Sequence, residues 1–130
     1  IRFQKKDPSS NGCGGGALGA IAHTLAKMGV KNIDDPAGAG ITSFKSNCDL
    51  HDERYDTCKD VYEFDKDYKE SWDAEFLKNM ELSCGNAQNE ATKKSCLWWA
   101  NYYAKEVRKD TNYKFYEAAQ LKKCRCCDIK

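Results

Sequence analysis

Histidine takes up and returns a proton near neutral pH more readily than any other side chain, and this chain has two, at positions 23 and 51. His51 stands in the run Cys48-Asp49-Leu50-His51-Asp52-Glu53-Arg54-Tyr55. Cys48, His51, Tyr55, Cys58 and Tyr62 recur at steps of three and four, which puts them on one stripe of a helix. A second stripe, Trp72, Asp73, Phe76, Leu77 and Met80, carries a single acid. Taken alone, His51 reads as a core histidine satisfied by a hydrogen bond and Asp73 as an acid near a helix N-terminus. Taken together they can do chemistry. If the two helices pack antiparallel through these stripes, Asp73 bonds one ring nitrogen of His51, fixes its tautomer and leaves the other nitrogen as a general base. Tyr55, one turn after His51, is a core tyrosine or a further donor to the same carboxylate.

Asp52 points about 100° around the helix from His51, toward a glycine-rich front that contains Asn11-Gly12-Cys13-Gly14-Gly15-Gly16. A glycine cluster alone reads as a flexible loop. Glycines also let main-chain carbonyls turn toward a hard cation, and oxygen ligands of this mixed kind suit Ca²⁺. A bridge between Cys13 and Cys48 would tether that loop beside Asp52. It would close a loop of about 36 residues, worth on the order of 3–4 kcal/mol in the chain-entropy view.

The elements that must position these groups can be read from composition and periodicity. Eight of the nine glycines and both prolines lie between Asp7 and Gly40, and only Gly85 interrupts the rest. A loop-rich front therefore precedes a helical body. Helices are predicted from Ser46 to about Phe64, from about Lys69 to Leu82, from about Thr92 to Arg108 (Cys96, Trp99, Ala100, Tyr103 and Val107 inward) and from Tyr113 to Leu121. A short one over Ala17 to Met28 would turn Leu18, Ile21, Leu25 and Met28 to one side. β-Branched runs are nearly absent, so little or no sheet is expected and the fold class is all-α. No linker divides the 130 residues, and a single domain is expected: a loop and insert over 7–45, a helical body over 46–123 and a cysteine-rich tail over 124–130.

Composition excludes several functions. With 21 Lys+Arg against 20 Asp+Glu the net charge is +1, which gives no basic field for nucleic acid. No apolar stretch approaches the roughly 18 residues of a membrane-spanning helix. Eight cysteines, mostly scattered singly, favour disulfides in an oxidising compartment over a zinc site, for which only the tail is dense enough. The opening Ile1-Arg2-Phe3-Gln4 has no apolar core of a signal peptide, so a processed or trimmed beginning is expected.

The run Cys48–Tyr55 resembles the C-x-x-H-D-x-x-Y of secreted phospholipases A2, most closely of their small helical bacterial and fungal branch. Trp72-Asp73-Ala74-Glu75-Phe76 is similar to the family's partner-helix aspartate and following aromatic. Cys96-Leu97-Trp98-Trp99-Ala100-Asn101-Tyr102-Tyr103 is similar to a cysteine-to-tyrosine helix of that branch, and Asn11-Gly12-Cys13 to its calcium loop. The resemblance runs over residues 9 to 108 or so. It implies a disulfide-stapled all-α domain with antiparallel catalytic helices and a calcium loop. In it, His51 would be the general base, Asp73 its orienting acid and Tyr55 the support of Asp73. Ca²⁺ would be held by Asp52, the Gly12 carbonyl and the Asn11 side chain. The implied activity is calcium-dependent hydrolysis of the sn-2 ester of phospholipids by a secreted, monomeric enzyme acting at a membrane surface. A partner inhibitor protein would be expected if the domain belongs to a toxin.

The same resemblance pairs Cys13 with Cys48 and Cys84 with Cys96. Cys58 and Cys124 would each take one of the adjacent Cys126 and Cys127, or Cys58 alone would. The stretch from 14 to 40 is longer than the branch usually has and would reshape the mouth of the site or its lipid-facing surface, with Leu18, Ile21, Leu25 and Ile41 read either as interfacial or as core. Asn11 is neutral where related sequences often carry a carboxylate, which implies weak calcium binding, on the order of 10⁻⁴–10⁻³ M. Two other readings compete: an inactive phospholipase-like toxin or receptor-binding protein, and an unrelated stapled protein in which His51 and Asp73 are structural. The first is marked by loss of the histidine or its neighbouring aspartate, and both are present. The second binds no calcium.

Overall fold

The computed structural model describes residues 3–4, 6–38, 43–58 and 65–125. Its body is four helices: α3 (Lys45–Asp56), α4 (Asp65–Cys84), α5 (Glu90–Arg108) and α6 (Tyr113–Lys123). Ahead of them lie two short ones, α1 (Gly16–Ala20) and α2 (Ala22–Lys27). Two-residue strands β1 (Phe3–Gln4) and β2 (Cys124–Arg125) pair antiparallel, Phe3 opposite Arg125. The chain is thus essentially all-α and stapled by disulfides.

Side-chain contacts fix the directions of the helices. Along α3, Asn47 meets Ser83, Arg54 meets Glu75 and Tyr55 meets Asp73, so α3 and α4 run antiparallel. α4 and α5 also run antiparallel, with the Cys84–Cys96 disulfide at one end and a bond from Lys69 to the Val107 carbonyl at the other. α5 starts where its sequence says it should: the Asn89 side chain accepts the Thr92 amide at 2.9 Å, Glu90 stands in the first turn, and Lys105 and Arg108 stand in the last. The core between α1, α2 and the antiparallel helices is built from Leu18, Leu25, Phe44, Phe76, Met80, Tyr103 and Ala104 with the Cys84–Cys96 bridge.

Three expectations need correction. The helix expected over Ala17 to Met28 is two, broken at Ile21; Leu18 and Leu25 are buried in the core, Ile21 packs against it, and Met28 is exposed. Ile41 lies outside the described residues. The first long helix stops at Asp56 instead of running to Phe64, and Thr57 is extended. The reason is local. The Cys58 amide leaves the helical ladder to donate to Gln4 Oε1 at 2.7 Å, and Gln120 on α6 covers the freed carbonyls of Tyr55 and Thr57 at 2.6 and 2.9 Å. Residues 59–64, with Tyr62, lie outside the described residues. Finally, Cys58 pairs with Cys124 itself, not with Cys126 or Cys127, because the β1–β2 pair and α6 bring 124 back beside the end of α3. Cys126 and Cys127 lie outside the described residues.

The Cys13–Cys48 disulfide joins the glycine-rich loop to the second turn of α3 across 35 residues. Replacing both cysteines by serine should cost about 3 kcal/mol in urea unfolding while leaving the helical circular dichroism in place. An unchanged midpoint would show that packing alone holds the loop.

Candidate functional site

His51 and Tyr55 face the same side of α3 because they are four residues apart, and Asp73 faces them from the middle of α4. Asp73 is 1 % exposed and His51 8 %. His51 Nε2 lies 2.7 Å from Asp73 Oδ1, and the Tyr55 hydroxyl donates to the same oxygen at 2.5 Å. The second carboxylate oxygen, Oδ2, accepts from Lys69 Nζ at 2.6 Å. Burial disfavours the charged form of Asp73, but these bonds from His51, Lys69 and Tyr55 outweigh it and hold its carboxyl below the ordinary carboxylate range. Burial, with the Asp73 charge beside it, pushes the Tyr55 hydroxyl well up, so Tyr55 stays a donor.

An ionised carboxylate can only accept. The proton in the His51–Asp73 bond therefore sits on Nε2, and the neutral ring keeps its lone pair on Nδ1. Phe76, one turn after Asp73, stacks on the imidazole with centroids 4.5 Å apart at 28°, which leaves the ring little freedom to turn.

Asp52 faces the other way, toward the glycine-rich loop. Three consecutive amides of that loop each donate to a different carboxylate: Asn11 N to Asp52 Oδ2 at 3.2 Å, Gly12 N to Asp49 Oδ1 at 2.7 Å, and Cys13 N to Asp34 Oδ1 at 2.7 Å. A trans peptide sets each carbonyl opposite to the next N–H. The Asp34 anchor thus turns the Gly12 carbonyl away from Asp34, and the Asp49 anchor turns the Asn11 carbonyl away from Asp49. Only glycine fits at 12: φ is +67°, and a Cβ there would come within 2.7 Å of Asp34 Oδ1. Gly15 is confined likewise by the Asn11 side-chain amide, which a Cβ would meet at 2.7 Å.

The Asp52 carboxyl is raised to about 7, first by burial; the Asn11 amide opposes this, and the neighbouring charges of Asp56, Asp49 and Glu53 add to it. It is a half-buried acid with too much negative charge around it. Among the described residues no three His, Cys, Asp or Glu side chains converge into a ready metal cluster, so a cation here would draw on neutral oxygens as well. Asn11 and Gly12 line the same cavity as Asp52 and carry such oxygens. An undercompensated carboxylate beside amide and carbonyl oxygens fits a hard cation such as Ca²⁺.

That cavity, of about 320 Å³, has His51, Asp52 and Tyr55 in its wall. Ala17, Leu18, Phe76, Val107, Phe115, Ala118 and Ala119 give it an apolar side, and Lys122 stands among its polar lining. All the candidates read from the sequence except Asp73, which lies behind His51, line this cavity.

Sequence reasoning missed three groups. Lys69 is the first: a lysine at i−4 from Asp73 falls on the inward stripe, and that spacing is the signal that could have found it. Asp34 and Asp49 are the others. Asp34 comes from the 14–40 stretch and is itself held by the Phe44 amide and Ser43 hydroxyl on its carbonyl, at 2.6 and 3.2 Å, while Tyr103 donates to the Ile33 carbonyl at 2.7 Å. One thing that stretch does is brace the loop from behind.

A model of the family described as prokaryotic phospholipase A2 matches residues 21–111. The match takes in His51, Asp52, Tyr55 and Asp73 and leaves out Asn11 and Gly12. No curated protein and no solved structure shows a significant match to the chain.

The Asp52 shift has a stability consequence with a definite sign. Its carboxyl ionises near 3.8 in the unfolded chain and near 7 in the folded one, so between those values the folded state holds the extra proton and stability falls as pH rises. In EDTA, Asp52→Asn should melt a few degrees above the unsubstituted protein at pH 8 and with it at pH 3.5. A variant that melts lower at pH 8 would show that Asp52 is already compensated by the protein.

Proposed function

The chain belongs to the prokaryotic phospholipase A2 family, and on that footing we propose that it hydrolyses the sn-2 ester of phospholipids in a calcium-dependent reaction, releasing a fatty acid and a lysophospholipid. Membership supports phospholipase A2 activity and phospholipid substrates at a membrane surface at the level of the family. The specific reading is carried by one observation: His51, with Nε2 bonded at 2.7 Å to the Asp73 carboxylate behind it, stands in the wall of a cavity that Asp52 also lines.

His51 Nδ1 takes a proton from water, which attacks the ester carbonyl, and the resulting imidazolium is stabilised by Asp73. Tyr55 keeps Asp73 in place through its hydroxyl bond. The proton then passes from Nδ1 to the departing lysophospholipid oxygen. Leu18, Phe76, Val107 and Phe115 give the acyl chain an apolar wall. Asp52, the Gly12 carbonyl and the Asn11 side-chain oxygen would hold Ca²⁺, which would supply charge stabilisation for the developing oxyanion. The three disulfides among the described residues fit a secreted protein working in an oxidising setting. The protein is read as a monomer.

On vesicles of mixed-chain phosphatidylcholine with millimolar calcium, the sn-2 fatty acid should be released. EDTA should abolish release, and His51→Asn should lower it about 10²–10⁴-fold. Full activity in EDTA or in the variant would refute the reading; calcium binding with no release would point instead to a scaffold used for binding.

A further inference from the structure

Lys69 is 6 % exposed, and its ammonium makes two short bonds, to Asp73 Oδ2 at 2.6 Å and to the Val107 carbonyl at 2.7 Å. Burying an ammonium costs desolvation that an aliphatic side chain of the same length would avoid. Helix stabilisation does not explain it. A lysine four residues before an acid is the less favourable order for an ion pair along a helix. What the ammonium does is local to the pair behind the cavity.

We propose that Lys69 is a positioning residue of the hydrolytic site. By taking Oδ2 it fixes the plane of the Asp73 carboxylate, so that Oδ1 is held under both His51 Nε2 and the Tyr55 hydroxyl. Val107 belongs to the last turn of α5, where carbonyls lack helical partners, and its side chain lines the cavity. The same ammonium therefore fastens the Asp73–His51 pair, and with it α3 and α4, to the α5 wall of the site. Removing it leaves Oδ2 buried without this donor and lets the carboxylate swing, which misaims His51 rather than weakening substrate contact. The proposal rests on the reading of His51 as the base.

Three variants test it: Lys69→Met, Lys69→Gln in case the first does not fold, and Lys69→Arg, which keeps charge and donors. The expected result on phosphatidylcholine vesicles is kcat lowered 10–100-fold with KM within twofold for Met or Gln, and recovery of most of kcat in Arg. The second readout is the low-field proton resonance of His51 Nε2–H in the lipid-free, metal-free protein, assigned against His23→Asn. It should move or broaden beyond detection in Met or Gln and persist in Arg. A variant that melts lower yet keeps kcat and this resonance would reduce Lys69 to a structural role and overturn the proposal. Because the resonance needs neither lipid nor calcium, unsubstituted protein that releases no fatty acid would defeat the hydrolytic reading, while the resonance still decides whether Lys69 holds the pair.

Discussion

A carboxylate that is 1 % exposed, in the middle of a helical core, organises this molecule. An ionised acid cannot stay in such a place unless it is surrounded by donors, and Asp73 has three, one from α3's histidine, one from α3's tyrosine and one from its own helix's lysine. The lysine passes the constraint to α5 through the Val107 carbonyl. Two helices are thus registered by hydrogen bonds to a single charge and a third through the lysine that bonds it, and the disulfide between Cys84 and Cys96 closes the other end of α4 and α5. The packing that surrounds the charge also sets what it can do. Stacked on Phe76 and tilted against Tyr55, the His51 ring is held in one orientation, and its bond to an ionised Asp73 calls for the proton on Nε2.

The loop across the cavity obeys the opposite arrangement. There the carboxylates come first and the backbone conforms to them: Asp52, Asp49 and Asp34 each capture one amide of Asn11-Gly12-Cys13. Asp49 is held below the ordinary range, chiefly by its bond with Lys45, whereas Asp52, which forms no ion pair with a described residue, is pushed up, chiefly by burial. Two neighbouring acids on one helix therefore stand in contrasting states. One serves as an anchor paired with Lys45, and the other stands raised at the wall of the cavity.

How much of this could be read in advance follows from how local each signal is. The stripe holding Cys48, His51 and Tyr55 and the stripe holding Asp73 and Phe76 are helical periodicities, so their meeting was legible once the helices were taken as antiparallel. The all-α class was likewise within reach, and the staples at Cys13–Cys48 and Cys84–Cys96 were within reach only through the resemblance to the phospholipase A2 family. The end of α3 was not, because periodicity carried on through Cys58 and Tyr62 while tertiary bonds from Gln4 and Gln120 had already taken over the chain. Nor was the Cys58–Cys124 bridge, which depends on a two-residue strand pair far apart in sequence. Lys69 was hidden for a different reason. A lysine on an inward stripe reads as polar and therefore surface, and only the buried acid one turn away gives it cause to be inside. Asp34 and Asp49 act through loop amides, which have no sequence period at all.

The most direct test of the account is the tautomer of His51, read from the nitrogen chemical shifts and couplings of ¹⁵N-histidine-labelled protein at a pH where the ring is neutral. The account predicts a proton on Nε2 and a lone pair on Nδ1. A ring protonated on Nδ1, or one exchanging freely between the two forms, would mean that the Asp73 carboxylate does not hold the imidazole, and the site as described would not exist.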